Sequence, residues 1–590
     1  MKREHIEKKY KWDFSNIYKN IDEWKNDLTK AEVLVNKIAE LKNKLKKRNF
    51  FYYYLKLEKE KNLLIVKLSH YLHLLDIDQT NFEFQELNSI MENFEQISNI
   101  RTSFISNELK SIGEKIISNW ILNSEYKEFA YFFRHFFKES KYVLSESEEE
   151  LINKISRSRS AVGNLYDSLA YADNEIEKIE LNKEIKELNN LVYKKIMEDS
   201  DPILEQNLRQ NAEKLYFSNF TKRKHSFSKI YEAILQKQIE NKNIRKYNNI
   251  LEMALFNDEV NSNIYLKLIE IGKKYINEFK KYNLLIKEKY NLKTFNSTDR
   301  KLKLVQNYDK DFSVEEAIKI SKEALKPLGE IYISKLNIAL KENLIDFYES
   351  QNKVQGAYSS GGNGIEPIIL MNWDFKLSSV NTLLHELGHS VHTIFSDEYQ
   401  KYPLNNYPII LAEVASTLNE HFLFDYMYNQ ANEKNEKIYL LQQRIFDLNS
   451  TFYRQIQFAD FEYSAHKLVE NSEPITTKTL MELFKTKQIE FGYDIFDDNQ
   501  LDVYNWSYIS HFFHSPFYVY KYAIDLVASF KLYSDFKNGN NNILNFLKSG
   551  GSKEPLDILK DVGVDFEKEE TYLPLVNEIS YLIEELKKLI

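Results

Sequence analysis

The sequence predicts a mainly α-helical protein with one small β-sheet, and three observations lead to this fold class. The 590 residues include only 14 glycines and nine prolines, and so few breakers in a long chain favour long helices. Apolar residues recur three and four positions apart between charged ones in stretches such as 50–75 and 148–169, as on the buried face of a helix. Only the segment 355–375 lacks this helical pattern.

The chain is longer than one hydrophobic core usually serves, which predicts two or more lobes. In the N-terminal half, Ser145 or Ser147 precedes a run of glutamates and is a candidate helix cap. The best turn signal further on is the stretch DSDP at 199–202. We therefore predict an N-terminal helical domain over 1–195 and a second domain over 196–590, which carries the motifs described below.

Composition argues against several classes of partner. The net charge is −8 and the pI is near 6.0, which argues against binding of nucleic acid or an anionic membrane surface. There is no cysteine, so disulfides, thiol nucleophiles and thiolate ligands are excluded. No window approaches 18 uninterrupted apolar residues and the N-terminus lacks the apolar run of a signal peptide. We expect a cytoplasmic protein and make no prediction of its oligomeric state.

The segment 355–375 holds four of the 14 glycines within nine residues and then becomes apolar in PIILMNW, at 367–373. This pattern predicts a glycine-rich loop followed by a strand at the edge of a small sheet. A surface loop throughout is the alternative.

Helical periodicity returns at Ser378 or Ser379, either of which is a candidate cap. On the helix that follows, His385 and His389 lie four residues apart, so their rings project from the same side, one turn from each other. Two imidazoles in this arrangement can bind one Zn²⁺. Glu386 lies between them and is placed to take a proton from a metal-bound water.

A catalytic zinc site needs a third protein ligand. The extended motif with a third histidine would place Gly at 392 and His at 395, whereas this chain has His392 and Phe395. The remaining option is a glutamate from the next helix, where Glu413 lies among apolar residues and is costly to bury unless paired or metal-bound. Glu420, seven residues on, is either an outer partner that orients a histidine or a solvated residue. His392 is interpreted as an outer partner or a core residue rather than a ligand.

Together, HELGHSVH at 385–392, LAEVASTLNE at 411–420 and GAYSSG…PIILMNW at 356–373 resemble the thimet-oligopeptidase-type zinc peptidases, and most closely the oligoendopeptidase F family. The similarity covers nearly the whole chain, including YKWDFSNIYKNIDEW, LFNDEVNSNIYLKLIE, HFFHSPFYVYKYA and FLKSGGSKEPLDILKDVGVDF. The resemblance implies a zincin-type fold with a deep substrate cleft between two helical lobes. It also implies that His385, His389 and Glu413 bind one zinc ion per chain and that Glu386 is the general base.

The segment WSYISHFFHSPFYVYKYA, at 506–523, contributes the remaining candidates. Pro516 is expected to begin a helix, on which Tyr518 and Tyr522 share a side. The resemblance assigns stabilisation of the oxyanion to a histidine and tyrosines of this segment, and His511, Tyr518 and Tyr522 fit best. The alternative is that these tyrosines are core residues.

The expected function is hydrolysis of internal bonds in short unstructured peptides. The strand at 367–373 could pair with the substrate backbone, and the glycine-rich stretch would allow close approach of the peptide, so Gly356 and Tyr358 are predicted to bind substrate. A helical zinc carboxypeptidase and a catalytically silent helical peptide-binding protein are the alternatives.

Overall fold

The computed structural model describes residues 3–122, 124–181, 183–305, 310–498 and 503–590, and helices dominate it, as predicted. The helices, in chain order, are α1 (Ile21–Ala39), α2 (Arg48–Leu72), α3 (Leu74–Ile77), α4 (Phe82–Thr102), α5 (Phe104–Ile112), α6 (Glu114–Leu122), α7 (Ala130–Ser140), α8 (Glu146–Asp167), α9 (Asn190–Asp199), α10 (Gln206–Tyr216), α11 (Ser218–Lys222), α12 (Lys224–Arg245), α13 (Ile250–Leu255), α14 (Ser262–Lys274), α15 (Asn277–Lys289), α16 (Val314–Leu325), α17 (Glu330–Ala339), α18 (Leu377–Tyr399), α19 (Ile409–Gln430), α20 (Lys434–Thr451), α21 (Tyr453–Glu470), α22 (Thr477–Glu490), α23 (His511–His514), α24 (Tyr520–Lys537), α25 (Ile543–Lys548), α26 (Pro555–Asp561) and α27 (Leu573–Leu589). The strands are β1 (Lys178–Leu181), β2 (Glu184–Glu187), β3 (Ile345–Asp346), β4 (Tyr358–Gly362) and β5 (Ile365–Leu370).

The chain forms two compact units, each assembled from three segments. Unit 1 comprises Met1–Lys141, Asp309–Tyr426 and Asp535–Val562; unit 2 comprises Tyr142–Tyr308, Met427–Ser534 and Gly563–Ile590. These units do not coincide with the predicted domains 1–195 and 196–590, because packing joins segments that are distant in the chain. The domain boundary at residue 195 therefore stays a prediction.

Unit 1 joins the N-terminal helices to a three-stranded sheet. Asn20 caps α1 by accepting a hydrogen bond from the backbone N–H of Glu23, as a residue with a short polar side chain does at a helix start. The buried face of α1 packs on α2, and the indole of Trp24 donates to the Leu68 carbonyl over 3.0 Å. The same hydrophobic core includes Ile368 and Leu370 of β5, so the sheet is fixed to the N-terminal helices.

The sheet has the order β3–β5–β4, with β5 parallel to β3 and antiparallel to β4. The prediction of an edge strand at 367–373 was therefore wrong: β5 is central, and the glycine-rich stretch forms β4, the outer strand. Gly361 makes this pairing possible, since a Cβ there would lie 2.5 Å from the Cα of Pro367. Glycines that looked like loop residues thus permit a close strand contact.

Unit 2 is built from helices and one antiparallel hairpin, formed by β1 and β2. Ser145 is the cap of α8, and its backbone N–H donates to Glu148 over 2.9 Å, which confirms one of the two predicted caps. Helix α9 ends at the predicted turn signal. Within the described part of the chain, none of the helices combines the length and hydrophobicity needed to cross a bilayer.

Candidate active site

Helix α18 carries the His-Glu-x-x-His motif in unit 1, and it begins at Leu377 rather than at a serine cap. Asp374 supplies the capping interactions: its carboxylate accepts hydrogen bonds from the Lys376 N–H over 2.9 Å and from the Ser378 and Ser379 hydroxyls. The two serines predicted as caps are therefore hydrogen-bond donors to an acidic residue. The negative charge of that residue suits a helix N-terminus.

Gly388 lets α18 and α19 approach closely enough to form one site. A Cβ at this position would lie 2.5 Å from the Cα of Ser416 and 2.8 Å from the carbonyl oxygen of Ala415. The buried amide of Asn419 also ties the two helices, since its Nδ2 donates to the Leu384 carbonyl over 3.0 Å. Neither residue could be identified from the sequence, because the role of each is visible only once the partner helix is known.

The close helix contact brings together the three predicted metal ligands. The Nε2 atoms of His385 and His389 are 3.3 Å apart, and the Glu413 Oε2 lies 3.3 Å and 3.8 Å from them. Ligands around a tetrahedral zinc ion with bonds of about 2.0 Å are separated by about 3.3 Å. Two imidazoles and a carboxylate with these separations fit a zinc ion. They are the one such cluster of candidate ligands among the described residues.

His385 has a second partner that fixes the orientation of its ring. The Nδ1 of His385 lies 2.8 Å from the Glu420 Oε1, and the backbone of Ala412 partly offsets the effect of burial on the pKa of His389. Such outer partners leave the other ring nitrogen free to act as a metal ligand. Glu420 therefore lies where one of its two sequence interpretations placed it, against the ring of His385.

The electrostatics of the cluster favour a bound cation. Burial disfavours protonation of His385, but its hydrogen bonds with Glu413 and Glu420 outweigh burial and raise the pKa of the ring well above its usual range. Burial lowers the pKa of His389 to about 4. Burial also opposes ionisation of Glu413, yet its contact with His385 lowers the pKa of that carboxyl. Two carboxylates thus converge on one ring, where a positive charge offsets their repulsion.

Glu386 points to the same region from the middle of the motif and is 6% exposed. Burial raises the pKa of its carboxyl to about 7, opposed by the nearby His385 and by a hydrogen bond from the backbone N–H of Ser359 on β4. A carboxyl in this range can both accept and return a proton near neutral pH.

Strand β4 is held on both faces. On one face, the Ser359 hydroxyl lies 2.8 Å from that of Ser390, on α18. On the other face, the Tyr358 hydroxyl donates to Asp76 over 2.6 Å, and the Nε2 of His73 lies 2.9 Å from the Ser360 hydroxyl. Tyr358, predicted to bind substrate, is thus bound to the N-terminal helices through its hydroxyl. No sequence signal linked residues 73 and 76 to this strand.

The two remaining sequence candidates of unit 1 lie near these elements. Gly356 precedes β4 with a φ of 90°, and no heavy atom lies within 4 Å of a Cβ built there. His392 is fully buried on α18, where its ring stacks on that of Tyr407 at 3.9 Å. Neither ring nitrogen of His392 has a hydrogen-bond partner among the described residues. The structure therefore places His392 in the core.

In unit 2, the tyrosine segment departs from the predicted helix. Helix α24 begins at Tyr520, not at Pro516, because Phe517 has a φ of 59°, which is incompatible with a right-handed helix. Tyr518 nevertheless lies beside Tyr522, with ring centroids 5.5 Å apart. The His511 ring stacks on Tyr518 at 5.6 Å, and its Nε2 lies 3.3 Å from the Tyr522 hydroxyl. The three predicted residues form one cluster.

Two family models match the chain. Peptidase family M3 covers residues 203–577, and Oligopeptidase F covers residues 108–175. The chain is 30% identical over 600 residues to an oligoendopeptidase F homolog of Borreliella burgdorferi, covering 100% of this chain and 99% of that protein. It is 28% identical to the oligopeptidase PepF of Bacillus subtilis, covering 100% of this chain and 88% of that protein.

Solved structures agree with these matches. A putative peptidase from Chlamydophila abortus superposes with a TM-score of 0.91 at 29% identity and covers 100% of both chains. The oligoendopeptidase F of Enterococcus faecium has a TM-score of 0.71 at 21% identity, over 96% of this chain and 99% of that chain, and supports the fold. The resemblance seen in the sequence is thereby confirmed: the chain belongs to peptidase family M3, in its oligoendopeptidase F group, and is a metalloendopeptidase.

Proposed function

We propose that this metalloendopeptidase is zinc-dependent and cleaves internal bonds of short, unstructured peptides, with one zinc ion per chain held by His385, His389 and Glu413. The observation that carries the proposal is the convergence of three ligand atoms beside the buried Glu386. Relatives named oligoendopeptidase F support short peptides as the substrate class. The absence of cysteine supports a cytoplasmic location.

A zinc ion held by these residues would make water more acidic and polarise the carbonyl of the scissile bond. Glu386 is the group that moves the proton: its carboxylate takes a proton from the attacking water and returns it to the leaving nitrogen. Glu420 would hold the His385 ring in the tautomer that leaves its Nε2 free to bind the ion.

The substrate backbone is proposed to pair with β4. This strand is the outer one of its sheet, and in the described chain no strand lies on its other side. An outer strand offers unpaired N–H and C=O groups to an extended peptide. Gly356, which is open on its Cβ side, would allow close approach at the start of the strand. Tyr358 acts indirectly, because its hydroxyl fixes β4 to Asp76.

The hydroxyls of Tyr518 and Tyr522 are the proposed donors to the oxygen that becomes negative during attack, with His511 as their partner. Phenol hydroxyls stabilise such an oxyanion without carrying charge themselves. Their clustering within unit 2 supports the proposal, since the rings of His511, Tyr518 and Tyr522 contact one another.

Glu386→Gln tests the central role, with Glu398→Gln on the same helix as the matched control. Glu386→Gln should retain zinc in elemental analysis and lose 10²–10⁴-fold in kcat, whereas Glu398→Gln, whose side chain pairs with Lys335 at the surface, should match wild type. An active Glu386→Gln enzyme would refute the role of this residue.

The bond specificity is tested with a peptide blocked at both ends and mass spectrometry of the products. Internal cleavage that stops with a chelator supports the endopeptidase. Release of single C-terminal residues from free peptides alone would indicate the carboxypeptidase, and binding without cleavage would indicate the silent binding protein.

A further inference from the structure

Two carboxyl groups of unit 2 hold the tyrosine segment from opposite sides of its turn. We propose that Glu462 and Asp258 are positioning residues for peptide hydrolysis, which act by fixing the Tyr518 and Tyr522 hydroxyls. The inference rests on the proposed role of these two tyrosines in the reaction. Both carboxyls belong to unit 2 and make hydrogen bonds with the tyrosine segment, so their role is argued through the tyrosines.

The first anchor is a hydrogen bond to a strained residue. Phe517, directly before Tyr518, has a φ of 59°, a left-handed conformation that a bulky side chain rarely adopts. Its backbone N–H donates to the Glu462 Oε1 over 2.8 Å. His466, one turn further along α21, packs its ring 4.5 Å from that of Phe517. Helix α21 therefore holds both the backbone and the ring of the residue that sets the direction of Tyr518.

Glu462 is an unusual residue to find in this place. It is 1% exposed, and its Oε2 has no hydrogen-bond partner among the described residues. Burial raises the pKa of the carboxyl to about 8, opposed only by the Phe517 N–H. The group is thus a neutral acid at pH 7, and a buried polar group with a single bond is costly. The hydrogen bond that it does make is with the Phe517 N–H, as a role in positioning the next residue, Tyr518, requires.

The second anchor lies on the other side of the turn. The Asp258 Oδ2 accepts a hydrogen bond from the Tyr520 hydroxyl over 2.7 Å, and its Oδ1 accepts one from the Lys521 ammonium over 2.6 Å. The same ammonium lies 5.0 Å from the ring centroid of Tyr518. Asp258 thereby fixes the first turn of α24, and it holds a positive charge against Tyr518 that makes the phenol a stronger hydrogen-bond donor.

These contacts predict that shape and hydrogen-bonding capacity at position 462 matter, whereas charge does not. Glu462→Gln keeps an oxygen that can accept from Phe517 and should retain kcat within about threefold of wild type. Glu462→Met keeps the volume but removes the acceptor, and it should lower kcat at least tenfold with KM and zinc content unchanged. Equal kcat in the Met variant and wild type would overturn the inference.

Zinc affinity separates positioning from general damage to the fold. If the loss of kcat in Glu462→Met comes from the turn, its zinc affinity should equal that of Glu462→Gln, because the metal ligands belong to the other unit. A loss of zinc affinity that matches the loss of kcat would count against a role through this turn. If Glu462→Met does not fold, Asp258→Ala carries the test, because Asp258 lies in a loop: a tenfold lower kcat at unchanged zinc content supports the inference, and an unchanged kcat overturns it.

The tyrosines themselves distinguish this inference from the proposed function. If Tyr518→Phe and Tyr522→Phe both retain full kcat, the oxyanion role fails and the inference fails with it. If either substitution lowers kcat and Glu462→Met does not, only the inference fails. If a tyrosine substitution and Glu462→Met each lower kcat, the variant that combines them should have a kcat little lower than that of the worse single variant, because the residues act as one unit.

Discussion

Substitution of Gly388 by alanine tests how the metal ligands are brought together. An alanine Cβ would lie 2.5 Å from the Ser416 Cα, about 1 Å closer than ordinary van der Waals contact. The atoms that the new methyl group meets belong to the backbone of α19. They cannot rotate away as a side chain could, so α18 and α19 must separate by a similar amount. Such overpacking costs about 1–3 kcal/mol, partly offset by the roughly 1 kcal/mol by which alanine is preferred to glycine in a helix.

The more informative effect is on zinc. Helix α18 carries both histidines and α19 carries Glu413, so the displacement falls directly on the ligand separations of 3.3 Å and 3.8 Å. Metal sites tolerate deviations of only about 0.2 Å. We therefore expect Gly388→Ala to weaken zinc binding at least tenfold, or about 1.4 kcal/mol, measured by competition with a chromophoric chelator.

Two glycine variants provide the controls. Gly163→Ala, on α8, meets its nearest atom at 3.5 Å and should keep both stability and zinc affinity. Gly272→Ala, on α14, would meet the side chain of Ile456 at 2.9 Å and should lower thermal stability while zinc affinity stays unchanged. Wild-type zinc affinity in Gly388→Ala would refute the argument that this glycine sets the ligand geometry.

Three further predictions follow from the outer contacts. Glu420→Gln keeps the size of the side chain but weakens the bond to His385, and zinc affinity in chelator competition should fall about 10–100-fold. Asp76→Asn loses the charge that anchors Tyr358 and should raise KM more than it lowers kcat if β4 binds the substrate backbone; an unchanged KM would contradict that pairing. The pKa of Glu462 is about 8 in the folded chain against 4.5 for a solvated glutamate, so the folded state retains a proton that the unfolded state releases between these values. The free energy of unfolding of wild type should thus fall by up to about 1.4 kcal/mol per pH unit relative to Glu462→Gln between about pH 4.5 and 8, and parallel urea-unfolding series would contradict this.

The proposed metal ligands could be selected from the sequence because the information that points to them is local. The spacing of His385 and His389 fixes their shared side on any helix, and a carboxylate among apolar residues on the next helix left Glu413 as the candidate. Glu420 followed from the same helical period, one heptad further on. The helical fold was equally accessible, since scarce breakers and repeated apolar spacing depend only on neighbouring residues.

What sequence could not supply depends on contacts between distant segments. The helix expected to begin at Pro516 begins at Tyr520 instead, after the left-handed Phe517. The N–H of Phe517 donates to Glu462, 55 residues earlier, and no local pattern encodes that bond. The glycine-rich stretch became strand β4 because Pro367 packs where a side chain at 361 would lie. His73 and Asp76 reach this strand from 285 and 282 residues away. In each case the partner had to be known before the residue could be interpreted.

The distribution of candidate residues makes metal binding and oxyanion stabilisation experimentally separable. All three proposed ligands, Glu386 and Glu420 belong to helices α18 and α19 of unit 1, whereas the tyrosine cluster and its two carboxyl anchors belong to unit 2. Zinc affinity should therefore respond to Gly388→Ala and Glu420→Gln and stay at the wild-type value in Glu462→Met. If a substitution in the tyrosine anchors released zinc, the two groups of residues would not be independent, and the kcat of such variants would no longer report on the tyrosine hydroxyls alone.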